Sequence, residues 1–163
     1  MDLPMLAASV LFSATTAYGA VVAVREDLPD EPFGWRPPGK VSTHELLGLG
    51  SGAMAPWPMP VAAVIAALKE RPGSTVPAQV SIGIGSACLV GTVVEPVTWG
   101  RRSTSRATTI TTALNLLSGT ALVLAGRRAV IASRELSAAD SHRRVGQGSG
   151  VEVAPLGGRR AAG

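Results

Sequence analysis

The sequence predicts an all-α polytopic integral membrane protein: a bundle of four transmembrane helices, the second of them broken by proline, followed by a disordered C-terminal tail. Three observations carry this expectation. The 26 charged side chains, 15 basic and 11 acidic, are absent from four stretches, Leu3 to Val24, Leu46 to Leu68, Pro72 to Val94 and Ala107 to Gly126, which hold 22, 23, 23 and 20 residues. Each stretch matches the roughly 20 residues that a helix rising about 1.5 Å per residue needs to cross a hydrocarbon core of about 30 Å. Pro56, Pro58 and Pro60 stand at the midpoint of the second. A soluble domain interleaves charges with apolar positions to keep one face of each helix wet. The segregation therefore argues against a soluble enzyme, a disulfide scaffold and a wholly disordered chain.

Residues 1–135 form the expected bundle, with helices at about 3–24, 43–68, 77–99 and 107–126, and residues 136–163 form the tail. The first stretch reads as a span. A cleaved signal sequence is the rival, since Ala17 and Gly19 are small, but no Lys or Arg precedes the apolar run and the run is longer than a usual signal core. The connector at 25–41 carries four prolines and two glycines in 17 residues, which excludes a continuous helix, and Phe33 and Trp35 suit an interface.

Ser42 and Glu45 fit a capping box, with Ser42 at the N-cap and Glu45 at the third helical position, and so mark a helix start. In the run that follows, each proline removes a backbone donor and crowds the preceding turn. Exposed broken backbone is not tolerated in lipid, so the break must face protein or water. The segment is then either a kinked span, which its length favours, or a re-entrant pair of half-helices. In the third stretch small residues recur at spacings of four, Ser81 with Gly85, Gly83 with Ala87 and Ala87 with Gly91. Small residues let backbones approach closely where lipid gives no hydrophobic drive between helices. Gly83, Gly85 and Gly91, with Gly48 and Gly52 on the second stretch, are the expected helix-packing positions and make the second and third helices the expected tight pair. Beyond Leu136 the chain turns to Gly, Ser, Arg and Ala without periodicity, a disordered composition. No internal repeat and no apolar heptads stand out.

With four crossings, the side that holds both termini carries nine basic residues against six; a re-entrant second segment makes the division twelve against three. With four crossings the basic excess weakly places both termini in the cytoplasm. Arg outnumbers Lys 13 to 2, which suits a GC-rich bacterial genome and hence a bacterial inner membrane.

Few residues can carry chemistry. The net charge of +4 and pI near 10.2 do not indicate nucleic acid, because aromatic content is 4% and seven of the fifteen basic residues follow Gly126. A basic flank beside an apolar segment meets anionic headgroups instead. Glu95 follows 23 uncharged positions. It is either an interfacial carboxylate paired with Arg101 or Arg102, or an intramembrane carboxylate with a function. Asn115, at the middle of the fourth stretch, is either interhelical hydrogen-bonding glue or a ligand contact. His44 and Glu45 are adjacent and point about 100° apart on a helix, and His142 lies in the tail, so no metal site is expected. His44 is expected to be solvated. Cys88 has no partner for a disulfide and reads as a small apolar filler. The glycine runs lack the lysine and hydroxyl residue of a phosphate loop, and no nucleophile elbow or zinc motif occurs.

The reading is a multi-pass membrane protein without an evident catalytic motif, an accessory or assembly component, with no cofactor. Its partners are the lipid bilayer and a membrane protein or a second copy of the chain, and not nucleic acid. The alternative is a small carrier or membrane-embedded enzyme with its site between the Pro-broken second helix and Glu95 and Asn115.

Overall fold

The computed structural model describes residues 2–28, 38–46, 50, 53–100 and 105–148. Five α-helices follow one another: α1 Leu3–Glu26, α2 Val41–Leu46, α3 Pro58–Lys69, α4 Val76–Val94 and α5 Arg106–Gly148, with a 3-10 turn over Pro96–Trp99. Three of them, α1, α4 and Arg106–Ala139 of α5, are long and apolar enough to cross a membrane, and α3 is a shorter apolar helix of 12 residues.

Local chemistry sets the ends. The Asp2 carboxylate accepts from the Met5 amide at 2.9 Å and caps α1, and α1 stops at Asp27, which takes the left-handed conformation with φ 48°. Prolines open α3 and α4, where a missing amide costs nothing. Ser105 Oγ accepts from the Thr108 amide at 3.0 Å and caps α5. The 3-10 turn folds back on α4: Thr98 Oγ1 donates to the Thr92 carbonyl at 2.5 Å and Trp99 Nε1 to the Val93 carbonyl at 2.7 Å, which satisfies two of the orphan carbonyls at that helix end.

The long helices share one buried pattern. The buried positions are 5, 8, 9, 12, 15, 16, 19, 22 and 23 on α1, 78, 81, 85, 88 and 92 on α4 with Glu95 just past its end, and 108, 111, 115, 118, 119, 122, 125, 126, 129 and 133 on α5. Each helix thus buries one stripe that recurs every three or four residues. On α5 this stripe carries Thr108, Thr111, Asn115 and Ser118 beside Leu122, while the large aliphatics Ile110, Leu117, Leu124 and Ile131 recur every seven residues on the exposed face. In lipid this inversion is the physical expectation, because tight backbone approach and not apolar burial holds helices together.

The tight pair is α4 with α5, not the second and third helices. A Cβ on Gly85 would stand 2.6 Å from the Gly119 carbonyl, and one on Gly126 would stand 2.7 Å from the Ala78 carbonyl. These contacts make the two helices antiparallel. Gly83 and Gly91 turn outward, where a Cβ meets nothing within 4 Å, so no packing falls to them. Gly48 and Gly52 lie outside the described residues. Helix α1 is also antiparallel to α5: the Glu26 carboxylate accepts from Ser105 Oγ and Thr108 Oγ1 at one end, and Ala8 packs with Ala125 at the other.

The second stretch is not one helix over 43–68. Between α2 and α3, Gly50 has φ +82°, a conformation glycine adopts without strain, and Ala53 to Trp57 are non-helical. The two helices of this stretch lie toward opposite ends of α1. Val41 of α2 packs with Val22, Ala23 and Leu28 at the far end of α1, and Ala66 and Ala67 of α3 pack with Met5 and Ala8 at its start.

Two other boundaries differ from expectation. Helix α2 begins at Val41, and the Thr43 and His44 amides bond to the Lys40 carbonyl, so Ser42 is inside the helix and not its cap. Helix α5 does not end near 126 but continues to Gly148. No proline interrupts 106–148, and residues 127–145 are dominated by Ala, Arg, Leu and other helix formers that outweigh their low complexity. Residues 149–163 lie outside the described residues.

Gly85→Ala is expected to cost about 1–3 kcal/mol through overpacking, whereas Gly91→Ala should be neutral or stabilise by up to about 1 kcal/mol through helix propensity. Reversible unfolding in mixed detergent micelles measures both.

Candidate functional site

The feature with most potential for chemistry is the point where the irregular backbone before α3 enters the bundle. Ala53, Met54 and Ala55 are buried there. Their peptide groups have no helix to satisfy them, and a buried carbonyl without a donor is costly. Asn115 Nδ2 donates to the Ala53 carbonyl at 3.1 Å. The same carbonyl lies against Gly19, where a Cβ would stand only 2.2 Å from it. Glycine on α1 and asparagine on α5 thus hold one peptide group between them.

Of the sequence candidates, Asn115 is brought to the break and Glu95 is not. Cys88 Sγ donates to the Asn115 carbonyl at 3.7 Å, which sets Cys88 level with Asn115. Glu95 lies seven residues beyond Cys88, about 10 Å further along the axis. It is buried at the end of α4 in the last seam position, its backbone extended at φ −71° and ψ 130°, and its carbonyl accepts from the Thr98 amide at 3.1 Å. Arg101 and Arg102, its expected partners, lie outside the described residues. Pro56 and Trp57 belong to the break itself, while Pro58 and Pro60 form the first turn of α3. The prolines therefore start a helix here instead of kinking one.

His44 is buried and not solvated: its Nε2 donates to the Pro38 carbonyl at 2.9 Å, so the ring fastens the turn that precedes α2. Gly19, Glu26, Gly119 and Gly126 have structural roles that the sequence reading did not single out. The spacing of three or four residues that sets Gly119 and Gly126 on the stripe with Asn115 and Leu122 is the signal that finds those two glycines.

The buried hydroxyls do not form a hydrophilic path. Thr16 donates to the Phe12 carbonyl at 2.9 Å, Thr92 to Cys88 at 2.8 Å and Thr111 to Ala107 at 2.9 Å, each to its own helix four residues earlier. Ser9 also returns to Met5, at 2.9 Å, and reaches across to the Ala63 carbonyl of α3 at 3.1 Å. Asn115 Oδ1 and Ser81 Oγ are buried without a hydrogen-bond partner among the described residues. Below the break a groove of about 470 Å3 runs between α1 and α3, lined by Ala17, Ala20, Met54, Trp57, Val61 and Ile65 among others. Ser13 and Thr16 also line it, but their hydroxyls are engaged on α1 at 2.8 and 2.9 Å, so the surface they offer is hydrocarbon. Among the described residues, no group of three His, Cys, Asp or Glu side chains is placed to hold a metal ion.

Comparison with protein-family models, with curated proteins and with solved structures gives no match for this chain.

Removing the Asn115 side chain strands the Ala53 carbonyl. Asn115→Ala is expected to cost about 1–3 kcal/mol, read by unfolding in mixed micelles. A smaller loss in Thr120→Ala, an exposed hydroxyl engaged only with its own helix at 2.7 Å, provides the comparison.

Proposed function

We propose that the chain is a multi-pass membrane protein with four crossings, the second discontinuous, and that it serves as an accessory or assembly component without catalysis of its own. One observation carries this reading: most of the hydrogen bonds made by buried polar side chains hold the bundle itself together. Thr16, Thr92 and Thr111 return to their own helices, Asn115 Nδ2 holds the Ala53 peptide, and Glu26 clamps the start of α5 to the end of α1. A carrier or enzyme of this size needs convergent polar groups facing a cavity. Here the groove near the break is walled by hydrocarbon.

Helix α5 supports the same reading. Its 43 residues extend about 64 Å, roughly twice the hydrocarbon core. Packing against the bundle continues as far as Ser133, which is buried, while Arg134, Glu135, Leu136 and Ser137 are exposed. Such an extension offers a helix surface to a membrane partner or to a second copy.

The four-crossing reading is supported by the second stretch, whose α2 lies beside the end of α1 and whose α3 finishes beside the start of α1. The alternative, a small carrier or membrane-embedded enzyme with its site at the break and Asn115, retains one supporting observation, the unpartnered Asn115 Oδ1 next to irregular backbone.

Reporter fusions at Gly39, Gly73 and Ser103 are expected to place Gly39 and Ser103 on one side of the membrane and Gly73 on the other; matching sides for Gly39 and Gly73 would overturn the four crossings. In mild detergent the protein should purify with a second protein chain or as an oligomer. A monomer carrying a stoichiometric polar solute would favour the carrier.

A further inference from the structure

Two cavities meet at the end of α5's uncharged stretch. The first, about 410 Å3, lies between the start of α1 and α5 and is lined by Pro4, Ala7, Leu11, Ala121, Leu124 and Arg128 among others. The second, about 460 Å3, continues along α5 and is lined by Leu124, Arg127, Arg128, Ile131, Ala132 and Glu135. Leu124 and Arg128 belong to both, so the apolar groove opens onto the Arg128 guanidinium, and Arg127 lines the adjoining cavity.

Its depth follows from the sequence. Leu3 to Val24 and Ala107 to Gly126 carry no charge, so a groove between Leu11 and Ala121 lies in hydrocarbon, and Arg127 and Arg128, the first charges after Gly126, lie at the headgroups. Both arginines are exposed. A groove of alanine and leucine walls in hydrocarbon is filled by an acyl chain, and guanidinium forks at its mouth match phosphate oxygens.

We propose that this groove is a binding site for an anionic phospholipid, one acyl chain lying between α1 and α5 and the phosphate held by Arg128 and Arg127. The site rests on the membrane placement above and not on the accessory role. Two acidic groups are near enough to compete. The Asp2 carboxylate is occupied by the Met5 amide at 2.9 Å. Glu135 lines the second cavity together with Arg127 and Arg128, and one carboxylate against two guanidinium groups leaves that site net cationic. The groove between α1 and α3 differs in this respect: no charged side chain lines it.

The test reconstitutes the full chain in nanodiscs and counts retained lipids by native mass spectrometry, with phosphatidylglycerol competing against phosphatidylcholine of the same acyl chains. The wild type should retain phosphatidylglycerol in preference. Arg128→Gln and Arg127→Gln should each weaken that preference by about fivefold, one headgroup-facing charge apiece. Ala7→Phe, which fills the groove from an exposed position, should reduce retention of both lipids. Arg25→Gln, at the opposite end of the bundle, is the control and should leave the preference unchanged. Equal retention of the two lipids, unchanged preference in both arginine variants, or an equal loss in Arg25→Gln would overturn the site. Failure of the wild type to insert into either bilayer would instead overturn the membrane placement.

Discussion

A backbone carbonyl buried in an apolar bundle has to find a donor, and the arrangement around Ala53 answers that requirement. The prolines at 56, 58 and 60 remove amides from the stretch that would otherwise be a second full helix, so its upper part cannot satisfy itself. Irregular backbone at this depth persists only where protein surrounds it. Gly19 clears the space on α1, and Asn115 donates from α5 at 3.1 Å. Fixing that one peptide group fixes where α3 starts, and α3 can then pack its alanine face, Ala63, Ala66 and Ala67, on α1.

The remaining helices obey a complementary constraint. Lipid is as apolar as leucine, so burying leucine gains little and close backbone approach gains more. The seams of α1, α4 and α5 accordingly carry many Gly, Ala, Ser and Thr residues beside a few large ones, Met5, Phe12 and Leu122, while many bulky aliphatics face outward. Hydroxyls suit this use because one such as Thr16, Thr92 or Thr111 donates to its own helix, so its polar atom can sit in a seam without a partner across it.

The spans were legible in the sequence because charge exclusion over about 20 residues has few other causes. The break was legible too, since proline acts locally; its course was not, because both kinked and re-entrant paths suit the same residues. Asn115 was correctly singled out as a polar group needing a partner, yet that partner, a main-chain carbonyl 62 positions away, has no sequence signature. The glycine spacing of four on the third stretch misled. It marks two helix faces: Ser81 and Gly85 lie together in the seam, whereas Gly83, Ala87 and Gly91 are exposed on the other side of α4. Glu95 was visible as a charge closing an apolar run. Its burial follows from holding the next seam position after Thr92, a relation that emerges only when the hydroxyl-bearing positions are counted as core.

The position of α3 depends on a discontinuous second segment pinned at Ala53. Backbone chemical shifts of isotopically labelled protein in detergent micelles or nanodiscs test this most directly. They should be helical for Val41–Leu46 and Pro58–Lys69, non-helical for Ala53 to Trp57, and accompanied by a nuclear Overhauser contact between Gly19 and Ala53. Uninterrupted helical shifts from Thr43 to Leu68, without that contact, would contradict it.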